Sequence, residues 1–124
     1  MIVGLGIDIV EVERIEEKIR KENGFRELVF SENEIAYCEK KTNKFEHYAA
    51  RFAAKEAVIK AKGGGKGRFC FSAIEVRRGM NGKPILFIDA KSRKALGIKA
   101  NAEFLLTLAH EREFAIATVA MSTK

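Results

Sequence analysis

The chain has little that would place it outside the cell or in a membrane. It carries only two cysteines, Cys38 and Cys70. They show neither metal-ligand spacing nor the pattern of a disulfide framework. We read both as reduced core residues, Cys38 on a helix and Cys70 on a strand. No apolar run approaches the ~20 residues of a membrane-spanning helix. Residues 1–10 are apolar, but no basic segment precedes them and no small-residue cleavage site follows, which argues against a secretory leader. No linker, repeat or low-complexity tract interrupts the 124 residues. The GxxxxGK(S/T) phosphate loop is absent too. These absences favour a cytoplasmic protein made of one domain, residues 1–124.

What is present suits a soluble globular fold: 47% hydrophobic and 32% charged residues, enough to build a core without staples. The net charge of +6 and a sequence pI near 9.4 favour an acidic partner, whether nucleic acid, an acidic protein or a phosphorylated small molecule.

The opening run MIVGLGIDIV reads as a strand. Alternation puts Val3, Leu5, Ile7 and Ile9 on one face, suited to a core, and Gly4, Gly6 and Asp8 on the other. The second face carries an acid beside almost no bulk, so something can approach the backbone there. A lone Asp at a strand end ordinarily caps the next turn or helix. Residues 11–21 follow as an amphipathic helix with an apolar stripe of Val12, Ile15 and Ile19 and a separate basic row of Arg14, Lys18 and Lys21. Asn23-Gly24 ends it.

Ser31 and Glu34 form a capping-box pattern for a helix over about 32–41. Residues 45–62 form the longest helical candidate, stopped by GGGKG at 63–67. Residues 68–78 and 84–89 are predicted strands around an Asn81-Gly82 turn. A brief helix at about 90–97 and strands at 102–109 and 113–121 complete the chain. Short connections between sequential strands imply an antiparallel sheet and an α+β protein.

On the long helix Phe45, Ala49, Phe52, Glu56 and Ile59 share a narrow sector. Glu56 thus lies in an apolar stripe, where an ionised carboxylate needs a partner or a metal. Lys60, at i+4, can pair with it, whereas Lys55 points away from this stripe. Asp8 and Glu56 are then two acids in apolar or small surroundings. Two carboxylates plus substrate phosphates are the ligands Mg²⁺ accepts. GGGKG follows a helix rather than preceding one, so we read it as a basic loop, with Lys62, Lys66 and Arg68, rather than a phosphate cradle. His110 falls at a hairpin end, and His47 on a helix face.

GIDIVEVERI, RFAAKEAVIKA, GKP at 82–84 and LAHE, in that order over nearly the whole chain, resemble the acyl-carrier-protein synthase family of small trimeric phosphopantetheinyl transferases. The resemblance implies the 4′-phosphopantetheinyl transferase fold. It also implies transfer of 4′-phosphopantetheine from coenzyme A to a serine of acyl carrier protein, with release of adenosine 3′,5′-bisphosphate, in support of fatty acid biosynthesis. Mg²⁺ is then held by Asp8 and Glu56, and Lys60 contacts the coenzyme A phosphates. The resemblance puts His110 near coenzyme A, although Thr107-Leu108-Ala109-His110 keeps one of the two hydroxyls of the family's S-x-S-H form. A homotrimer with sites at subunit interfaces is expected, with no nucleic-acid or membrane partner.

In this scheme Mg²⁺ neutralises phosphate charge, Lys60 is a point cation, and Glu56, directly or through a water, takes the serine proton. The row Arg14, Lys18 and Lys21 suits an acidic carrier-protein helix, with Phe25 as an apolar anchor. A rival reading is a basic RNA- or ribosome-binding module without catalysis. Against it, the sequence has no RNP-like motif and its aromatics occupy core-phase positions. A non-catalytic trimeric scaffold is a third reading, and it would need neither Asp8 nor Glu56.

Overall fold

Glycine and alanine decide how this chain packs. The computed structural model describes residues 1–123. Strand β1 (Ile2–Glu11) runs straight into helix α1 (Val12–Arg20), and a short helix α2 (Phe25–Val29) and helix α3 (Glu32–Glu39) follow. The long helix α4 spans Lys44–Ala61. A 3-10 turn at Arg68–Ala73 leads to β2 (Glu75–Arg78), a second 3-10 turn at Met80–Gly82 and β3 (Pro84–Phe87). Helix α5 (Ala90–Leu96) precedes the final hairpin, β4 (Glu103–His110) and β5 (Phe114–Ser122). The sheets are antiparallel, a three-stranded one in the order β1-β5-β4 and a two-stranded one of β2 and β3.

Helix α4 lies on the β1-β5-β4 sheet through its alanines: Ala50, Ala53, Ala54, Ala57 and Ala61 are buried, as are Ala115, Ala117 and Val119 of β5. On β1 the approach is closer still. A Cβ at Gly6 would stand 1.9 Å from the Ala57 carbonyl oxygen, and one at Gly4 equally close to that of Ala61. Only glycine admits backbone this near.

The contact overturns the expected facing of β1. Gly4, Gly6 and Asp8 turn toward α4, while Val3, Leu5, Ile7 and Ile9 are 49–69% exposed in the single chain. Bulk belongs in a core only where a neighbour leaves room, and a helix at backbone distance leaves none. The open space inferred beside the glycines is filled by the protein's own helix.

Several local predictions hold. Val12, Ile15 and Ile19 of α1 are buried, each burial worth ~1.5–3 kcal/mol. Ser31 Oγ accepts from Glu34 N at 3.2 Å and Ser31 N donates to Glu34 Oε1 at 2.9 Å, completing the capping box of α3. Both cysteines are free, and burial pushes the Cys38 thiol up to about 12, which leaves it inert.

Two further predictions do not hold. Residues 68–73 form a 3-10 turn, not the start of a strand, and Cys70 sits on that turn. The reason lies in Lys55, which is fully buried. Its ammonium donates to both Glu34 oxygens, at 2.8 and 3.0 Å, and to the carbonyls of Phe71 and Ile74. Carbonyls gathered onto one cation cannot also run out along a strand. Glu34 Oε2 in turn accepts from Val76 N at 2.9 Å, so one buried pair ties α3, α4, the turn and β2 together.

Candidate active site

Asp8 enters the site from β1, where it lies opposite Ala117 and its side chain is 16% exposed. It does not cap α1, whose N-cap is Glu11 without a side-chain bond. Glu56 comes from the middle of α4 and is 12% exposed. Both carboxylates line one cleft of about 580 Å³, whose floor and rim include Arg14 and Lys18 of α1, Phe25 and Leu28 of α2, Phe52 and Lys60 of α4, and Arg68.

Each acid is met by a cation, though not by the expected arrangement. Lys60 Nζ bonds Asp8 Oδ1 at 3.0 Å and the Ile7 carbonyl at 2.9 Å. It reaches across to β1 rather than along its own helix to Glu56. Glu56 instead receives a two-pronged bond from Arg68: Nε to Oε1 at 2.9 Å and Nη2 to Oε2 at 3.1 Å. The hydrogen bond to Glu56 raises the Arg68 pKa above its ordinary value. A planar fork matches a carboxylate better than an ammonium does, which decides between the two cations.

The donor set suits Mg²⁺ and is incomplete by itself. Among the described residues no cluster of three or more His, Cys, Asp or Glu side chains could cage a metal. Two hard carboxylate oxygens leave the other positions to water and substrate phosphates, which is how Mg²⁺ is ordinarily held.

Residues 4–119 match the 4′-phosphopantetheinyl transferase superfamily. The chain belongs to this superfamily. It is 47% identical over 125 residues to the holo-[acyl-carrier-protein] synthase of Cytophaga hutchinsonii, covering 96% of each chain. To that of Clostridium kluyveri it is 40% identical, covering 98% of this chain and 90% of the relative. Among solved structures, the Bacillus anthracis holo-(acyl-carrier-protein) synthase in complex with CoA (3′,5′-ADP) superposes with a TM-score of 0.80 at 38% identity, over 100% and 99% of the two chains. The Helicobacter pylori enzyme in complex with coenzyme A does so with a TM-score of 0.78 at 30% identity, over 95% and 99%. Membership in a transferase superfamily removes support from the RNA-binding reading.

Within this transferase, Asp8, Glu56, Lys60, Arg14, Lys18 and Phe25 converge on the one cleft. Lys18 Nζ sits 5.6 Å from the Phe25 ring centroid, and Phe25 itself packs on Phe52 and Phe30. Lys21 is exposed and stands outside the cleft lining. His110 is also elsewhere. It pairs across β5 with the level of Val10, two strand spacings or ~10 Å from β1. Its Nδ1 lies 2.9 Å from Glu46 Oε1. Glu46 is ten residues before Glu56 on α4, about 15 Å along a helix.

The sequence places Arg68 in a basic loop and His47 on a helix face without showing what either meets, and it gives no sign of Leu28. Arg68 lies twelve residues beyond Glu56 across a glycine loop, at no helical spacing. Leu28, 70% exposed at the cleft, belongs to a five-residue helix too short to show a period. His47 stacks edge-on to His110 with centroids 4.8 Å apart, and a strand and a helix so distant in sequence meet only in the fold. Among the described residues, no helix is long and apolar enough to cross a membrane.

Proposed function

We propose that this chain is a Mg²⁺-dependent holo-[acyl-carrier-protein] synthase that moves 4′-phosphopantetheine from coenzyme A to a serine of acyl carrier protein. It acts in the cytoplasm, in support of fatty acid biosynthesis, as a single catalytic domain of residues 1–124. What carries the reading is the convergence of Asp8, Glu56 and Lys60 in a cleft that also reaches Arg14, Lys18 and Phe25. Two acids for a cation and a basic, aromatic rim for an acidic protein meet in one place.

The serine hydroxyl attacks the β-phosphorus of the coenzyme A diphosphate, and adenosine 3′,5′-bisphosphate leaves. Asp8 and Glu56 hold Mg²⁺, which when bound supplies neutralising charge for the phosphates and a fixed orientation for them. Lys60 presents a point cation to the same phosphates. Glu56 takes the serine proton. The rim residues Arg14 and Lys18 steer the acidic carrier protein, and Phe25 anchors it.

The working form is a homotrimer. The outer face of the β1-β5-β4 sheet supports this: Leu5 and Leu105 flank Ala120, and Ile7 and Ile9 continue the apolar surface. Single chains rarely leave so continuous a patch in water. Because His110 is remote from Asp8 within one chain, its contact with coenzyme A comes from a neighbouring copy at the subunit interface. Sedimentation at micromolar concentration tests the trimer.

The activity is tested by intact-mass spectrometry of apo acyl carrier protein after incubation with this protein, coenzyme A and Mg²⁺. One added phosphopantetheine is expected. Asp8→Asn and Glu56→Gln should each lose most turnover while melting as the wild type does. An unmodified carrier protein would refute the activity, and near-normal turnover of either variant at limiting Mg²⁺ would refute the metal ligands.

A further inference from the structure

Glu56 is mostly enclosed, so its charge needs a cation at all times. In the chain that cation is Arg68, and its fork takes both carboxylate oxygens. A metal bound by Glu56 needs at least one of them. The two cations are therefore competitors for the same atoms. They differ in how easily they leave, since the Arg68 side chain is 75% exposed and swinging into water costs it little.

The backbone before Arg68 is held where this exchange can happen. Gly67 is buried against α4 and α5, and a Cβ there would run into Ile59 at 2.5 Å and Leu96 at 2.9 Å. That contact fixes the base of the Arg68 side chain beside α4 while leaving its end free. Upstream, Gly63, Gly64 and Gly65 all have positive φ, at 106°, 83° and 85°, so the loop approaches in a path closed to most other residues.

We infer that Arg68 is a substrate-binding residue that rests on Glu56: a divalent cation takes the carboxylate, and the freed guanidinium moves to the phosphates of coenzyme A. This rests on the metal and substrate reading above. The charges balance at each stage. Without ligands, Lys60 and Arg68 neutralise Asp8 and Glu56. With a divalent cation on the two acids, both side-chain cations are released just as the anionic diphosphate arrives. A guanidinium is suited to that second partner, since it forks onto phosphate as readily as onto carboxylate.

The probe is Mn²⁺ in place of Mg²⁺, titrated by electron paramagnetic resonance against the whole protein without coenzyme A. Arg68→Gln should bind Mn²⁺ about 2–5-fold tighter than wild type, the worth of an exposed pair no longer in competition. Arg68→Lys, a point charge without the fork, should fall between them. Lys66→Gln removes the same charge from the same loop and should change the affinity less than about 1.5-fold, because an exposed charge without a contact is screened. In steady-state assays Arg68→Gln should raise the coenzyme A KM about tenfold, as for one lost charge-assisted bond, with a smaller change in kcat. Arg68→Lys should recover part of the loss.

Equal Mn²⁺ affinity in wild type and Arg68→Gln would overturn the inference, and so would Lys66→Gln matching Arg68→Gln. An unchanged KM would overturn the move to substrate. If neither wild type nor Arg68→Gln binds Mn²⁺, the metal reading itself fails and takes the inference with it.

Discussion

Replacing Gly6 by alanine should damage the enzyme at a distance from any substrate. The added Cβ would meet the Ala57 carbonyl oxygen at 1.9 Å and the Ala61 nitrogen at 2.9 Å. Ordinary van der Waals separation needs about 1.5 Å more on the first contact. Both partners are backbone, so no side chain can turn aside. Strand β1 and helix α4 must separate, and the residues next to the clash are those proposed to act on substrate. Glu56 adjoins Ala57, Lys60 adjoins Ala61, and Asp8 is two residues from Gly6. An opening of ~1.5 Å would break the 3.0 Å Lys60–Asp8 bond.

Overpacking costs ~1–3 kcal/mol, and a backbone clash belongs at the upper end. For a chain of this size ~3 kcal/mol lowers Tm by roughly 10 °C. A misplacement of about 1 Å costs about 100-fold in rate. Thermal unfolding by circular dichroism gives the first quantity. Transfer to apo carrier protein, assayed well below the variant's Tm, gives the second. A Gly6→Ala protein that melts within about 2 °C of wild type, or that is folded with full turnover, would show that the close approach of β1 and α4 does not set the site.

Three other outcomes test separate parts of the argument. Changing Arg14, Lys18 and Lys21 together to Glu should raise the carrier-protein KM at least tenfold and leave coenzyme A affinity intact, with added salt reproducing the defect in wild type. Lys21→Glu by itself should contribute least, and equal loss of coenzyme A binding would refute the division of labour. His110→Ala should raise the coenzyme A KM several-fold with a smaller effect on kcat, the mark of lost uniform binding; a large fall in kcat at constant KM would make it a catalytic group and displace Glu56 as base.

The last concerns pH. Burial, and then the neighbouring His110 ring and Arg51, lower the His47 pKa to about 4. Between pH 6.5 and 4 the unfolded chain thus holds more protons at this site than the folded one, and stability falls as pH falls through that window. The full shift corresponds to about 3 kcal/mol, reduced by partial solvent exposure to roughly 1–2. His47→Gln should flatten that part of the urea-unfolding profile between pH 6.5 and 4, and an unchanged slope would refute the assignment.

Helices α1, α3 and α4 are legible in the sequence because they are set locally, whereas the short α2 and the turn at 68–73 are not. The stripe Val12, Ile15 and Ile19 marks α1, Ser31 and Glu34 cap α3, and an alanine-rich run makes α4, each through contacts within a turn or two. Asp8 and Glu56 are legible for a related reason, since charge in an apolar stretch is costly enough to stand out wherever it finally lies. Partners are another matter. Helical spacing joins Glu56 to Lys60, but in three dimensions Lys60 reaches Asp8 and the fork of Arg68 takes Glu56. Alternation shows that β1 has two faces and cannot say which one is inside. That depended on α4 lying at backbone distance from Gly4 and Gly6, which turned the bulkier Val3, Leu5, Ile7 and Ile9 outward. Local propensity acts over a few residues, whereas facing, ion-pair choice and the burial of Lys55 depend on which distant segments the packing brings together.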